Sequence, residues 1–166
     1  MLPSWRETAS QEAQDDLDGL VNATLPFVQQ MLERHGEFFP FAAAVTADST
    51  VEMLGADPGA DDRPASTDVL DQLVGGLRDR AGSFRATALV ADVRAGESDA
   101  VRVELEHRDG HAICVLLPYG KQRLRRGIDY GTCVPPQARI ASGAAGDRSR
   151  LLPAACGSSM VAADPH

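Results

Sequence analysis

The stretch VELEHRDGHAICVLLPY, residues 103–119, decides how the rest of the chain is read, because Glu104, Glu106, His107, Arg108, Asp109 and His111 crowd into it. Either these ionisable groups converge on a cleft or they are spread over the faces of a hairpin. Residues 100–108, AVRVELEHR, alternate strictly: Val101, Val103, Leu105 and His107 share one side, Arg102, Glu104, Glu106 and Arg108 the other. That period of two marks a half-buried strand. Asp109-Gly110 then favours a two-residue type I′ turn, which needs positive φ at both central positions. Such a loop sets Arg108 opposite His111, Glu106 opposite Ile113 and Glu104 opposite Val115. On this reading the acids and Arg108 are the wet face of one strand beside a more deeply buried one.

Working outward, FRATALVADVRA (84–95) is β-rich and is followed by turn residues AGESD. Before it, Val69, Leu70, Leu73, Val74 and Leu77 follow helical spacing, with Ser66 or Thr67 as the cap, Asp68 and Asp71 in the first turns and Arg78 and Arg80 in the last. Gly75-Gly76 weakens the end of that helix by about 1 kcal/mol per glycine relative to alanine. DPGADDRPAS (57–66) reads as a solvated loop. Phe38–Val45 and Val51–Leu54, joined by TADST, read as a hairpin whose Pro40 must sit at a strand start or edge.

From Ser10 to Arg34, Ala13, Leu17, Leu20, Val21, Leu25, Val28, Met31 and Leu32 recur at steps of three and four, the stripe of an amphipathic helix. Ser10 is its N-cap and His35-Gly36 its end. Pro26 removes one backbone bond, so a kink or two shorter helices are expected there. After Tyr119, GKQRLRR is a basic exposed segment and GIDYG a last short strand or turn. From Thr132 onward the chain is rich in Ala, Gly, Ser and Pro and lacks periodicity, the composition of a disordered tail.

The expected organisation is therefore a flexible N-terminus (1–10), an α+β domain (11–131) and a disordered tail (132–166). The domain has one antiparallel sheet of about five strands in the order α-β-β-α-β-β-β, with the helices packed on the sheet.

The formal net charge is −8 over 166 residues, from 16 basic and 24 acidic side chains. That balance argues against a nucleic-acid partner, which needs a basic surface. Cys114, Cys133 and Cys156 show no zinc or redox spacing. Neither a secretory signal nor an apolar run of ~20 residues is present, so a soluble, cytoplasmic protein without membrane contact is expected.

The succession HGEFFPFAAAV, ALVADVRA, DAVRVELEHRDGHAICVLLPYG and IDYG resembles a family of small uncharacterised bacterial proteins, over about residues 12–131. In that family an N-terminal helix leads into a strand like EFFPFAAAV, and a late hairpin like LEHRDG runs into LPY. The resemblance implies a fold and no activity or site residues, and the tail departs from the family pattern. The element order is also similar to that of the roadblock and longin-like proteins, an analogy of topology alone.

Among candidate sites, a metal or acid–base cluster on Glu104, Glu106, His107 and His111 fails on strand geometry, since His107 points away from the two glutamates. Glu52, Asp57, Asp61 and Asp62 lack the spacing of a calcium loop. Phosphate loops and nucleophile motifs are absent. No cofactor or metal is implied.

The aromatic residues Phe38, Phe39, Phe41 and Tyr119 are the candidate protein contact, either as an apolar patch at the sheet edge or as plain core. The leading expectation is a non-catalytic module that dimerises or binds a protein through an exposed strand edge or the helix face beside it. The alternative is a small-molecule binder or hydrolase with a pocket between helix and sheet, using His107, Tyr119 and Asp92.

Overall fold

Helix α2 (Gln11–His35) begins where Ser10 accepts the Ala13 amide and ends at Gly36, whose φ of 72° closes the last turn. A short helix α1 (Trp5–Thr8) precedes it, so part of the N-terminus expected to be flexible is folded, with Trp5 buried. The structure, a computed structural model, describes residues 4–56, 65–122 and 127–132, together with the backbone of 139–140.

Pro26 does not divide α2. Both Pro26 and Asn22, whose carbonyl loses its helical partner, are exposed, so the lost bond falls on the solvent side of the helix. Along the inner side, Leu17, Leu20, Val28 and Leu32 are almost completely buried, each contributing roughly 1.5–3 kcal/mol.

After α2 come β1 (Phe41–Thr46), β2 (Val51–Leu54), α3 (Ser66–Asp79), β3 (Phe84–Ala95), β4 (Ser98–His107), β5 (His111–Lys121) and β6 (Ile128–Tyr130). Pro40 stands just ahead of β1, so its missing N–H costs the ladder nothing. The N-cap of α3 is Ala65, without a side-chain bond, and Ser66 is already helical; the expected Ser66 or Thr67 cap is corrected accordingly. Gly75-Gly76 lies inside α3, which runs on to Asp79.

The strands form one antiparallel sheet in the order β2-β1-β3-β4-β5-β6, and a two-residue strand β7 (Arg139–Ile140) pairs with the start of β5. The fold is therefore α+β with a single antiparallel sheet, one strand longer along its main path than the five expected. Apart from β7, the segment expected to be a disordered tail lies outside the described residues beyond Thr132, as do residues 57–64 of the loop weighed for calcium.

Two helices cover opposite faces. Val45, Val90, Val103, Leu105 and Val115 pack with α2, whereas Ala42, Ala44 and Leu89 pack with Val69, Leu73 and Leu77 of α3. Alternation along each strand sends odd and even positions to different layers.

The hairpin register differs from expectation by one residue. Glu106 pairs with Ala112 and Glu104 with Cys114, so the loop is Arg108-Asp109-Gly110 and not the two-residue turn. The Gly110 amide donates to the His107 carbonyl at 2.9 Å, and only Gly110, at φ 97°, has positive φ within the loop. This is a type I turn closed by a left-handed glycine, the three-residue alternative for a hairpin. A one-residue slip moves every side chain of β5 to the other face. His111 thus joins the α2 side with Ile113 and Val115, instead of the acidic side with Glu106.

Candidate functional site

The register brings the hairpin tip against the first turns of α2. Asp16 falls on the apolar stripe beside Ala13, Leu17 and Leu20 and is buried there. A buried carboxylate needs partners. Arg85 of β3 supplies them: its Nε donates to Asp16 Oδ2 at 2.9 Å and its Nη2 to Oδ1, while Nη1 donates to Ser49 at 2.8 Å. The same Oδ2 lies 3.1 Å from His107 Nε2.

His107 is 3% exposed. The Asp109 amide donates to its Nδ1 at 3.2 Å, a bond open to the tautomer that carries its proton on Nε2, facing Asp16. Asp109 Oδ1 is also 3.0 Å from Nδ1, so the other tautomer has an acceptor waiting. That oxygen accepts further bonds from the His111 ring at 2.9 Å and the His111 amide at 3.1 Å. Burial alone would raise the Asp109 carboxyl; the bonds from His111 and the nearby His107 outweigh it and hold the group below its ordinary value. His111 Nε2 in turn lies 3.1 Å from the Thr8 hydroxyl, tying α1 to the tip. At the rim, Arg108 bonds Glu12 at 2.8 Å.

Of the acids weighed from sequence, Glu104 and Glu106 stand on the opposite face, as strand geometry required, but that face is not the wet one expected, since Glu104 is buried and Glu106 partly so. Glu104 is buried with the Arg102 Nε at 3.2 Å from its carboxylate. Burial, helped by the charge of Glu104, pushes Glu106 up to about 7. His107 and His111, however, do meet. The sequence reading missed Asp16 as the partner of His107, although an acid within an apolar helical stripe signals a buried ion pair.

Tyr119 and Asp92 also meet: the phenol lies 2.8 and 2.9 Å from the two Asp92 oxygens. Burial raises the Asp92 carboxyl, a rise that the Tyr119 bond partly offsets. The third residue of that set is far away, since Asp92 pairs with Val101, six positions from His107 along β4, or ~20 Å. Two surface depressions, one around Thr46, Asp48 and Glu52 and one around Leu54, Leu73 and Leu77, contain none of the three.

The aromatic group divides as well. Phe38, Phe41 and Tyr119 are buried, and Phe39 alone is exposed. The other large apolar side chains exposed among the described residues are Phe27 (41%) on α2 and Val51 (37%) and Met53 (46%) on β2. Val51 and Met53 pair with Val45 and Ala43, so they face the α2 side at the sheet edge. Phe27 packs edge-on to Phe41 of the neighbouring strand, with ring centroids 5.1 Å apart.

Compared with protein-family models, curated proteins and solved structures, the chain finds no match in any of the three. No helix among the described residues is long and apolar enough to cross a membrane.

Proposed function

We propose that this protein is a non-catalytic module that forms a homodimer through the outer edge of β2. The observation that carries the reading is the exposure of Val51 and Met53 on an edge strand whose far side pairs with no strand among the described residues. Natural edges are usually blunted by shortness, charge, proline or a bulge; β2, with the sequence VEML, is short and carries Glu52 but has no lysine, proline or bulge. Phe27 extends the apolar surface onto α2.

A second copy is the occupant we favour because an antiparallel strand is its own complement about a two-fold axis. A register with Met53 opposite its copy places Glu52 opposite Leu54 and avoids two facing glutamates. The excess negative charge of each chain opposes association, so added salt strengthens it.

Sedimentation equilibrium of the full chain tests this. The chain should show monomer–dimer exchange in the micromolar range, and Met53→Lys should be monomeric with an unchanged circular dichroism spectrum. A monomer at all concentrations and salt levels overturns the proposal.

A further inference from the structure

We propose that Glu12, Asp16 and His107 bind one divalent transition-metal ion of the zinc type, joining α2 to the hairpin tip. One donor atom from each lies within 4.8 Å of the others. Two come from a single helix face, because Glu12 and Asp16 are four residues apart. The third is carried in by β4, whose last residue is His107.

The spacing suits a metal. His107 Nε2 and Asp16 Oδ2 are 3.1 Å apart, close to the ~3.3 Å between neighbouring donors of a tetrahedral zinc ion bound at ~2.0 Å. The ion takes the place of the proton now shared between them. With the ion on Nε2, the ring proton stands on Nδ1, where Asp109 Oδ1 is 3.0 Å away. A ligating imidazole whose second nitrogen donates to a carboxylate is the common arrangement at zinc. Here Asp109 is itself oriented by His111, and His111 by Thr8.

Entry is from the rim. Glu12 is half exposed, and its partner Arg108 is equally so, an ion pair of small net worth that yields to a dication. Arg85 keeps its Nη2 bond to Asp16 Oδ1, which holds the carboxylate in place, while its Nε bond to Oδ2, the oxygen that takes the ion, gives way. One nitrogen and two carboxylate donors, with a fourth position open to water, favour Zn²⁺ or Co²⁺ over Ca²⁺, which takes six to eight oxygens.

Calorimetric titration of the full chain with Zn²⁺ should show one ion per chain. Glu12→Gln, at a half-exposed position, should weaken it by about 10–100-fold, and Glu33→Gln, at the other end of α2, should leave it unchanged. In long-range ¹H–¹⁵N spectra, Zn²⁺ should leave the His107 proton on Nδ1 and none on Nε2. His107→Gln should abolish binding; if it fails to fold, the Glu12→Gln titration and the His107 tautomer still decide. Binding that ignores Glu12→Gln, a His107 proton found on Nε2 with Zn²⁺ bound, or no binding overturns the site. None of these outcomes depends on dimerisation.

Discussion

His107 Nε2 lies 3.1 Å from Oδ2 of Asp16, an acid ninety-one positions earlier in the chain, and the same oxygen holds the Nε of Arg85. This contact closes α2, β3 and the β4–β5 hairpin into one unit. Removing the charge of Asp16 leaves a largely buried guanidinium without its carboxylate. Asp16→Asn should therefore lower the midpoint of urea unfolding. Adding Arg85→Met should recover part of that loss, so that the double variant is more stable than the sum of the single changes implies.

Gly110 is needed for the register of the hairpin. At φ 97° a side chain is strained even though open space surrounds the position. Gly110→Ala should destabilise by about 1–2 kcal/mol. Gly82→Ala is the matched control, since that glycine also faces open space and carries no positive φ. Equal midpoints for the two variants in denaturant would show that the loop does not require its left-handed residue.

Much of the fold was legible in the sequence because its elements obey simple periods. The α2 stripe, the Ser10 cap, the Gly36 stop and the strand alternation of residues 101–107 each reflect one local rule and appear where those rules put them. The site was less legible, for a reason that is also local. Asp-Gly suits both a two-residue and a three-residue loop, and the choice between them turns His111 from one face to the other. Asp16 needed a partner from the outset, but Arg85 and His107 reach it only through strand pairings that span most of the domain. Nor could periodicity show that Phe38 and Phe41 are covered while Met53 is not, because that depends on how far α2 extends over the sheet.

On the other face, Glu106 makes stability depend on pH. Its folded value of about 7 stands above the ordinary 4.5, so the folded chain holds a proton that the unfolded chain releases between these limits. Stability therefore falls as pH rises from about 4.5 to about 7 and levels off above that. Glu106→Gln removes this dependence. Denaturation at about pH 4 and about pH 8 should show the variant gaining on the parent at the higher pH, by less than the full shift implies because solvent screens a partly exposed group. An equal difference at both pH values would assign the slope to other groups.

Tyr119 and Asp92 give a pH response through a hydrogen bond. Tyr119→Phe removes the hydroxyl that lies 2.8 and 2.9 Å from the carboxylate and leaves a half-buried acid short of its donor, at a cost of about 1–3 kcal/mol at neutral pH. Burial already raises the Asp92 carboxyl, and the Tyr119 bond holds it lower than it would otherwise be. Without that bond it rises further, so the additional loss grows as pH climbs above the usual carboxylate range and fades below it. The parent and Tyr119→Phe should therefore differ most near neutrality and least near pH ~3. In an Asp92→Asn background the hydroxyl still has an acceptor but no titrating partner, and the Tyr119→Phe cost should become independent of pH. A cost that stays pH-dependent in that background would mean that the phenol acts on a group other than Asp92.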